Sequence, residues 1–194
     1  MKKLFVIAIL LCGILTANAQ DFKAFRVDLG LGYAIPKDGG GVILSVEPKY
    51  AVIPNVAVGL RFELAGMAQA TYEVVNGQVT KDGSASVKLN GSYLLTGDYY
   101  FTNNNFRPFG GLGVGIYNLN GAESNINGTT SVATNKNNLG YMLRAGFDVS
   151  HFRLAIEYNI AGKMETDILG NDYSSSYNYL GIKANVYIGG GKKN

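Results

Sequence analysis

"AFRVDLGLGYAI", residues 24–35, sets Arg26 and Asp28 two apart inside an otherwise apolar stretch and then alternates glycine with bulky residues. On a strand, residues two apart share a face. Phe25, Val27, Leu29, Leu31, Tyr33 and Ile35 therefore lie on one side, with Arg26, Asp28, Gly30, Gly32 and Ala34 on the other. One side is oily from end to end, and both charges share the opposite one.

The same division recurs along the chain, with no competing helical period. Val42, Leu44, Val46 and Tyr50 oppose Ser45, Glu47 and Lys49, and Val58, Leu60, Phe62 and Leu64 oppose Arg61 and Glu63. Val87, Leu89, Tyr93, Leu95 and Tyr99 oppose Lys88 and Asp98, while Leu112, Val114 and Ile116 alternate with Gly111, Gly113 and Gly115. Leu139, Tyr141, Leu143, Phe147 and Val149 oppose Arg144 and Asp148, and Leu154, Ile156 and Tyr158 oppose Arg153 and Glu157. Leu180, Ile182, Val186 and Ile188 oppose Lys183. Six of these runs carry two charges, and in all six both charges share one parity. The pattern predicts an all-β chain of about eight strands, each near the roughly 9–11 residues that cross a bilayer at a tilt.

The first twenty residues, "MKKLFVIAILLCGILTANAQ", read differently. Lys2 and Lys3 precede an apolar core from Leu4 to Leu15, and Ala17-Asn18-Ala19 forms an A-x-A cleavage signal. This is the plan of a secretory signal peptide over residues 1–19, leaving residues 20–194 as one domain. Its removal takes away Cys12, the only cysteine, so the expected mature chain forms no disulfide. It also leaves fifteen basic and fourteen acidic residues, a balance that implies no nucleic-acid partner.

The connections alternate in length. Residues 51–55, 102–106 and 150–152 read as short turns, whereas 71–83, 119–138 and 161–176 are long and rich in Asn, Gly, Ser and Thr. With no later apolar run long enough for a helical span, a closed barrel is the remaining way to cross a membrane. Two observations favour the charged face as the inner one. It is largely Gly, Ala, Ser and paired charge, and the aromatic residues of the apolar face fall near strand ends. Phe25, Tyr50, Tyr99 and Phe147 mark one end and Tyr33, Tyr141 and Tyr158 the other, like the two aromatic girdles of a membrane barrel. The competing soluble reading, a lipocalin-like ligand binder, requires the apolar parity inside.

The expected lumen set is thus Arg26, Lys49, Arg61, Lys88, Arg144, Arg153 and Lys183 with Asp28, Glu47, Glu63, Asp98, Asp148 and Glu157. Seven basic against six acidic residues is near neutral, as mutual pairing inside a barrel demands. These charges concentrate toward the short-turn end. Smaller inward residues such as Ala34, Ser84, Ser86, Asn138 and Gly140 toward the other end suggest a shallow water-filled vestibule there.

The chain resembles the small outer-membrane β-barrel family that includes OmpX and the OmpA transmembrane domain. The resemblance runs over nearly all of residues 22–188 and is most evident in "FRPFGGLGVGIY" (106–117) and "YNYLGIKANVYIGG" (177–190). The chain departs from that family in continuing past Tyr187-Ile188 as "GGGKKN" instead of finishing on an aromatic residue. The resemblance implies a closed antiparallel up-and-down transmembrane barrel in the bacterial outer membrane. Both termini are then periplasmic and the long connections face outward.

Chemistry-bearing clusters are sparse. His151, the only histidine, falls in a short turn beside Phe152 and reads as a solvated turn residue. The Gly111, Gly113, Gly115 run lacks the strand-to-helix context of a phosphate loop. Asp167 and Asp172 match no EF-hand spacing and read as loop solubilisers. No catalytic residue, cofactor or metal is expected. The favoured expectation is a monomeric, non-enzymatic barrel in contact with outer-membrane lipids, with the segments 71–83, 119–138 and 161–176 offered to an extracellular ligand. A narrow porin-like channel for ions or small solutes is the alternative, and a membrane-embedded lipid enzyme lacks the acid, base or nucleophile cluster it needs.

Overall fold

The computed structural model describes residues 24–37, 39–75, 78–124, 134–168 and 171–190. The expected signal peptide lies outside them. Ten strands follow in order: β1 (Phe25–Pro36), β2 (Gly39–Ile53), β3 (Val56–Val75), β4 (Gln78–Tyr100), β5 (Phe106–Ser124), β6 (Thr134–Val149), β7 (Phe152–Ile160), β8 (Lys163–Ile168), β9 (Asn171–Ser176) and β10 (Tyr179–Gly189). Eight of them close into an antiparallel barrel in the order β1-β10-β7-β6-β5-β4-β3-β2, while β8 and β9 form a separate two-stranded hairpin.

Closure follows one inward rung all the way round. Arg26 pairs with Lys49, Lys49 with Gly59, Gly59 with Thr96 and Thr96 with Gly113. Gly113 then pairs with Met142, Met142 with Asn159, Asn159 with Tyr179 and Tyr179 with Pro36. The rung re-enters β1 ten residues above its start. That offset over eight strands corresponds to a strand tilt of about 40°. Every barrel strand has two neighbours, so no edge is left free.

The short turns fall at one end, at Pro54-Asn55, around residues 101–105 and at Ser150-His151, where Ser150 adopts φ 53°. The other end differs from the expectation of long loops. Residues 71–83 are mostly strand, because β3 and β4 stay paired from Val56↔Tyr99 out to Val75↔Gln78, with a register irregularity between Ala70 and Tyr72. Part of 119–138 continues β5 and β6, and 161–176 contains β8 and β9, in which Asp167 pairs in register with Asp172. Polar composition concealed these strands: backbone pairing continues above the belt where no face demands apolar side chains.

Candidate functional site

The barrel is inside-out relative to a soluble fold. Leu60 is 53% exposed and the next residue, Arg61, is 0% exposed. Leu29, Leu31, Leu44, Leu143, Ile156 and Ile182 are likewise exposed, and each belongs to the outward parity. This arrangement excludes the lipocalin-like reading, which needs those side chains in the interior.

All thirteen charged residues of the expected lumen set are buried. Twelve fall into two electrically balanced tiers. The tier nearer the turns joins Arg26, Lys49, Arg144 and Arg153 to Asp28, Glu47, Asp98 and Asp148. Arg144 donates from Nη1 and Nη2 to both oxygens of Glu47, at 2.9 and 2.8 Å, and from Nε to Asp98 at 2.7 Å. Asp98 also accepts from Lys49 Nζ and Arg153 Nη1, each at 2.9 Å. Asp148 accepts from Arg26 Nη1 at 2.9 Å and Arg153 Nε at 2.8 Å, and Asp28 lies 3.0 Å from both Arg26 Nε and Lys49 Nζ. Tyr100 ties the tier together below: its hydroxyl accepts from Arg26 Nη2 at 2.6 Å and Arg153 Nη2 at 2.5 Å.

The second tier pairs Arg61 and Lys183 with Glu63 and Glu157. Arg61 Nη1 donates to Glu157 at 2.5 Å, and Lys183 Nζ donates to Glu63 at 2.8 Å. Tyr179 donates its hydroxyl to Glu63 at 2.6 Å, while Asn159 Oδ1 accepts from Arg61 Nη2 at 2.7 Å and from Tyr117 at 2.9 Å. Arg144 Nη1 reaches Glu157 at 3.8 Å, linking the tiers. Buried charge is tolerated only when paired and hydrogen-bonded. Both tiers meet that condition with matched counts of opposite charge.

Lys88 stands higher, its ammonium 4.7 Å from the Tyr177 ring centre. Two buried apolar clusters overturn the expected vestibule. Ala34, Ile43, Ala65, Met67 and Tyr179 form one buried cluster, and Leu94, Tyr117, Leu119, Met142, Ala161 and Tyr177 another. These side chains fill the inner space of the upper barrel. Gly140, expected to line water, instead receives the Tyr117 ring, whose Cδ2 and Cε2 would lie 2.6 and 2.7 Å from an added Cβ. Ser84 and Ser86 are among residues whose side chains are not described.

Sequence reasoning missed Ile43, Met67, Leu94, Leu119 and Met142 as lumen residues. The signal was present in part: each is apolar on the charged parity, and Ile43, Leu94 and Met142 sit inside runs such as Val42-Ile43-Leu44 where both faces are oily. Glycine supplies the remaining room. A Cβ at Gly111 would collide with Asp98 Oδ1 and lie 3.1 Å from Arg144 Nε, so only glycine permits that pair.

At the turn end, His151 is exposed, with Nδ1 3.3 Å from the neighbouring Ser150 Oγ and its ring centre 5.6 Å from that of Tyr187. Among the described residues, no group of three His, Cys, Asp or Glu side chains is arranged to hold a metal. On the outside, exposed Phe25, Tyr99, Phe101, Phe106 and Phe152 ring the turn end, and Tyr33, Tyr93, Tyr141 and Tyr158 ring the wall toward the loop end.

Searches of family models and of curated sequences found no match. Solved structures do match. Neisserial surface protein A (NspA) superposes with a TM-score of 0.52 at 12% identity, over 89% of this chain and 99% of that one. The outer membrane protein OprG from Pseudomonas aeruginosa gives 0.50 at 14% identity, over 86% and 96%. Identities this low speak to architecture and leave activity open. The chain has the fold of the small eight-stranded outer-membrane β-barrels.

Proposed function

We propose that the protein is a non-enzymatic, non-conducting integral barrel of the bacterial outer membrane, acting in envelope structure or surface interaction. The observation that carries this reading is the polarity inversion at neighbouring positions, an exposed Leu60 beside a fully buried Arg61. The outward residues of β1 from Phe25 to Ile35 form an apolar band about 25 Å tall at this tilt, the height expected of a barrel's lipid-facing belt. Ion-paired tiers below and apolar clusters above fill the described lumen with buried side chains, which supports a plug over a pore.

In this reading residues 1–19 are removed on export through the general secretory route. The turn end and both termini then face the periplasm, and the β3–β4 extension and the β8–β9 hairpin face outward. Segments 71–83, 119–138 and 161–176 are the parts presented to an extracellular ligand, and the closed wall suits a monomer. Planar-bilayer recording of reconstituted protein tests the plug: a flat baseline supports it, and large steady single-channel currents contradict it.

A further inference from the structure

The outer wall is not uniform. A groove of about 720 Å³ crosses β10, β1, β2, β3 and β4. Val186, Leu29, Val46 and Phe62 form its lower bank, and Ala184, Leu31, Leu44 and Leu64 its upper bank. Each bank is a row of register partners: Val186↔Leu29↔Val46↔Phe62 below and Ala184↔Leu31↔Leu44↔Leu64 above. The floor is the backbone of the intervening residues, Asn185, Gly30, Ser45 and Glu63, and the side chains of Asn185, Ser45 and Glu63 point into the barrel. Phe152 stands at the low end; at the high end Tyr93 faces Gly91, which leaves the bank open.

We propose that this groove holds one phospholipid acyl chain, laid obliquely against the wall; the proposal rests on the outer-membrane reading above. Three features select that occupant. The side chains of both banks carry no polar atom, and the one outward hydroxyl, that of Tyr93, stands at the high end, so a peptide backbone or sugar lodged along the groove finds no side-chain hydrogen-bond partner in either bank. The groove spans four strand spacings, about 19 Å, and inclined with the rungs it rises about 12 Å, close to one leaflet of a roughly 30 Å hydrocarbon core. It is also continuous with the apolar belt, so a chain enters it sideways without crossing a polar barrier. Burial along two banks and a floor gives such a chain apolar contact on three sides.

Gly91 and Ala184 are the two small residues that keep the upper bank open. A Cβ at Gly91 would meet nothing nearer than Asn118 Cβ at 3.9 Å, so a larger side chain fits there without disturbing the barrel. The test is native mass spectrometry of the full barrel ejected from non-ionic detergent micelles doped with phosphatidylcholine. Wild type is expected to retain one lipid, and the groove-filling variant Gly91→Leu/Ala184→Leu to retain at least threefold less. Gly97→Leu, on the outer parity away from the groove and with nothing within 4 Å of its Cβ, is expected to match wild type.

A second readout locates the chain. The protein contains no tryptophan, so Tyr93→Trp and Tyr141→Trp each report one site. Limiting brominated phosphatidylcholine is expected to quench the first more than the second, although the two tyrosines are similarly exposed, at 57% and 53%. Equal quenching, a lipid-free wild type, or unchanged retention in the filled variant overturns the groove while leaving the outer-membrane reading intact. Failure of wild type to float with lipid vesicles overturns that reading as well.

Discussion

Arg144 and Glu47 are joined straight across the barrel, guanidinium to carboxylate, from strands four places apart in either direction around the closed wall. The pair is a cross-brace: β6 and β2 share no backbone hydrogen bond, yet two charge-assisted bonds fix their separation. Removing one partner leaves a buried charge short of its counter-charge. Glu47→Ala is expected to destabilise the barrel by about 3–5 kcal/mol in equilibrium urea unfolding. The double variant Glu47→Leu/Arg144→Met is expected to cost less than its two single changes added together; strict additivity would show the brace to be energetically idle.

The hydroxyl of Tyr100 accepts from two guanidinium groups at once, those of Arg26 and Arg153. Tyr100→Phe keeps the ring against Phe109 but removes the acceptor. A loss of about 1.5–3 kcal/mol is expected, as for hydrogen bonds to charged groups. Phe109→Leu, which spares every ion pair, should cost less in the same unfolding assay.

Glycines on the two faces should respond differently. A Cβ on Gly115 would run into the carbonyl of Tyr93 on the neighbouring strand, whereas one on Gly97 meets nothing within 4 Å. Gly115→Ala is therefore expected to cost about 1–3 kcal/mol through a forced backbone shift, and Gly97→Ala to be neutral or mildly stabilising. Heat-modifiable gel mobility, which separates folded from unfolded barrels, reports both.

Most of the barrel was legible because its two solvents differ so sharply. Alternation marked Phe25 to Ile35 as one oily face, and the shared parity of Arg26 with Asp28, or Arg61 with Glu63, named the face that had to be paired. Parity could not say which charges would meet. Arg26 finds Asp148 from the far side of the sequence, a consequence of closure and tilt that no local spacing encodes. The upper lumen was misjudged because glycine and serine there suggested water, while Leu94, Leu119 and Tyr177 converge from three separate segments to exclude it. The β8–β9 hairpin escaped notice because strands outside the belt have no face on which lipid imposes a pattern.

Beside Arg144, the outward Leu143 belongs to the opposite face, and Leu143→Arg is expected to lower stability in lipid by about 2–4 kcal/mol, as for charges at the bilayer midplane. Intact-mass analysis of protein recovered from the cell envelope is expected to give a chain beginning at Gln20. A mass retaining residues 1–19 would remove the signal-peptide reading.

Collision accessibility of spin labels tests the central claim most directly. Cys12 precedes Gln20, so the expected mature chain is cysteine-free and Leu60→Cys and Ile182→Cys each carry a single label. In reconstituted vesicles both labels should collide freely with oxygen and rarely with a water-soluble nickel chelate, while a label at exposed Asn103 in the turn shows the reverse. Labels at 60 and 182 shielded from both reagents, on protein left in the aqueous phase, would contradict the account.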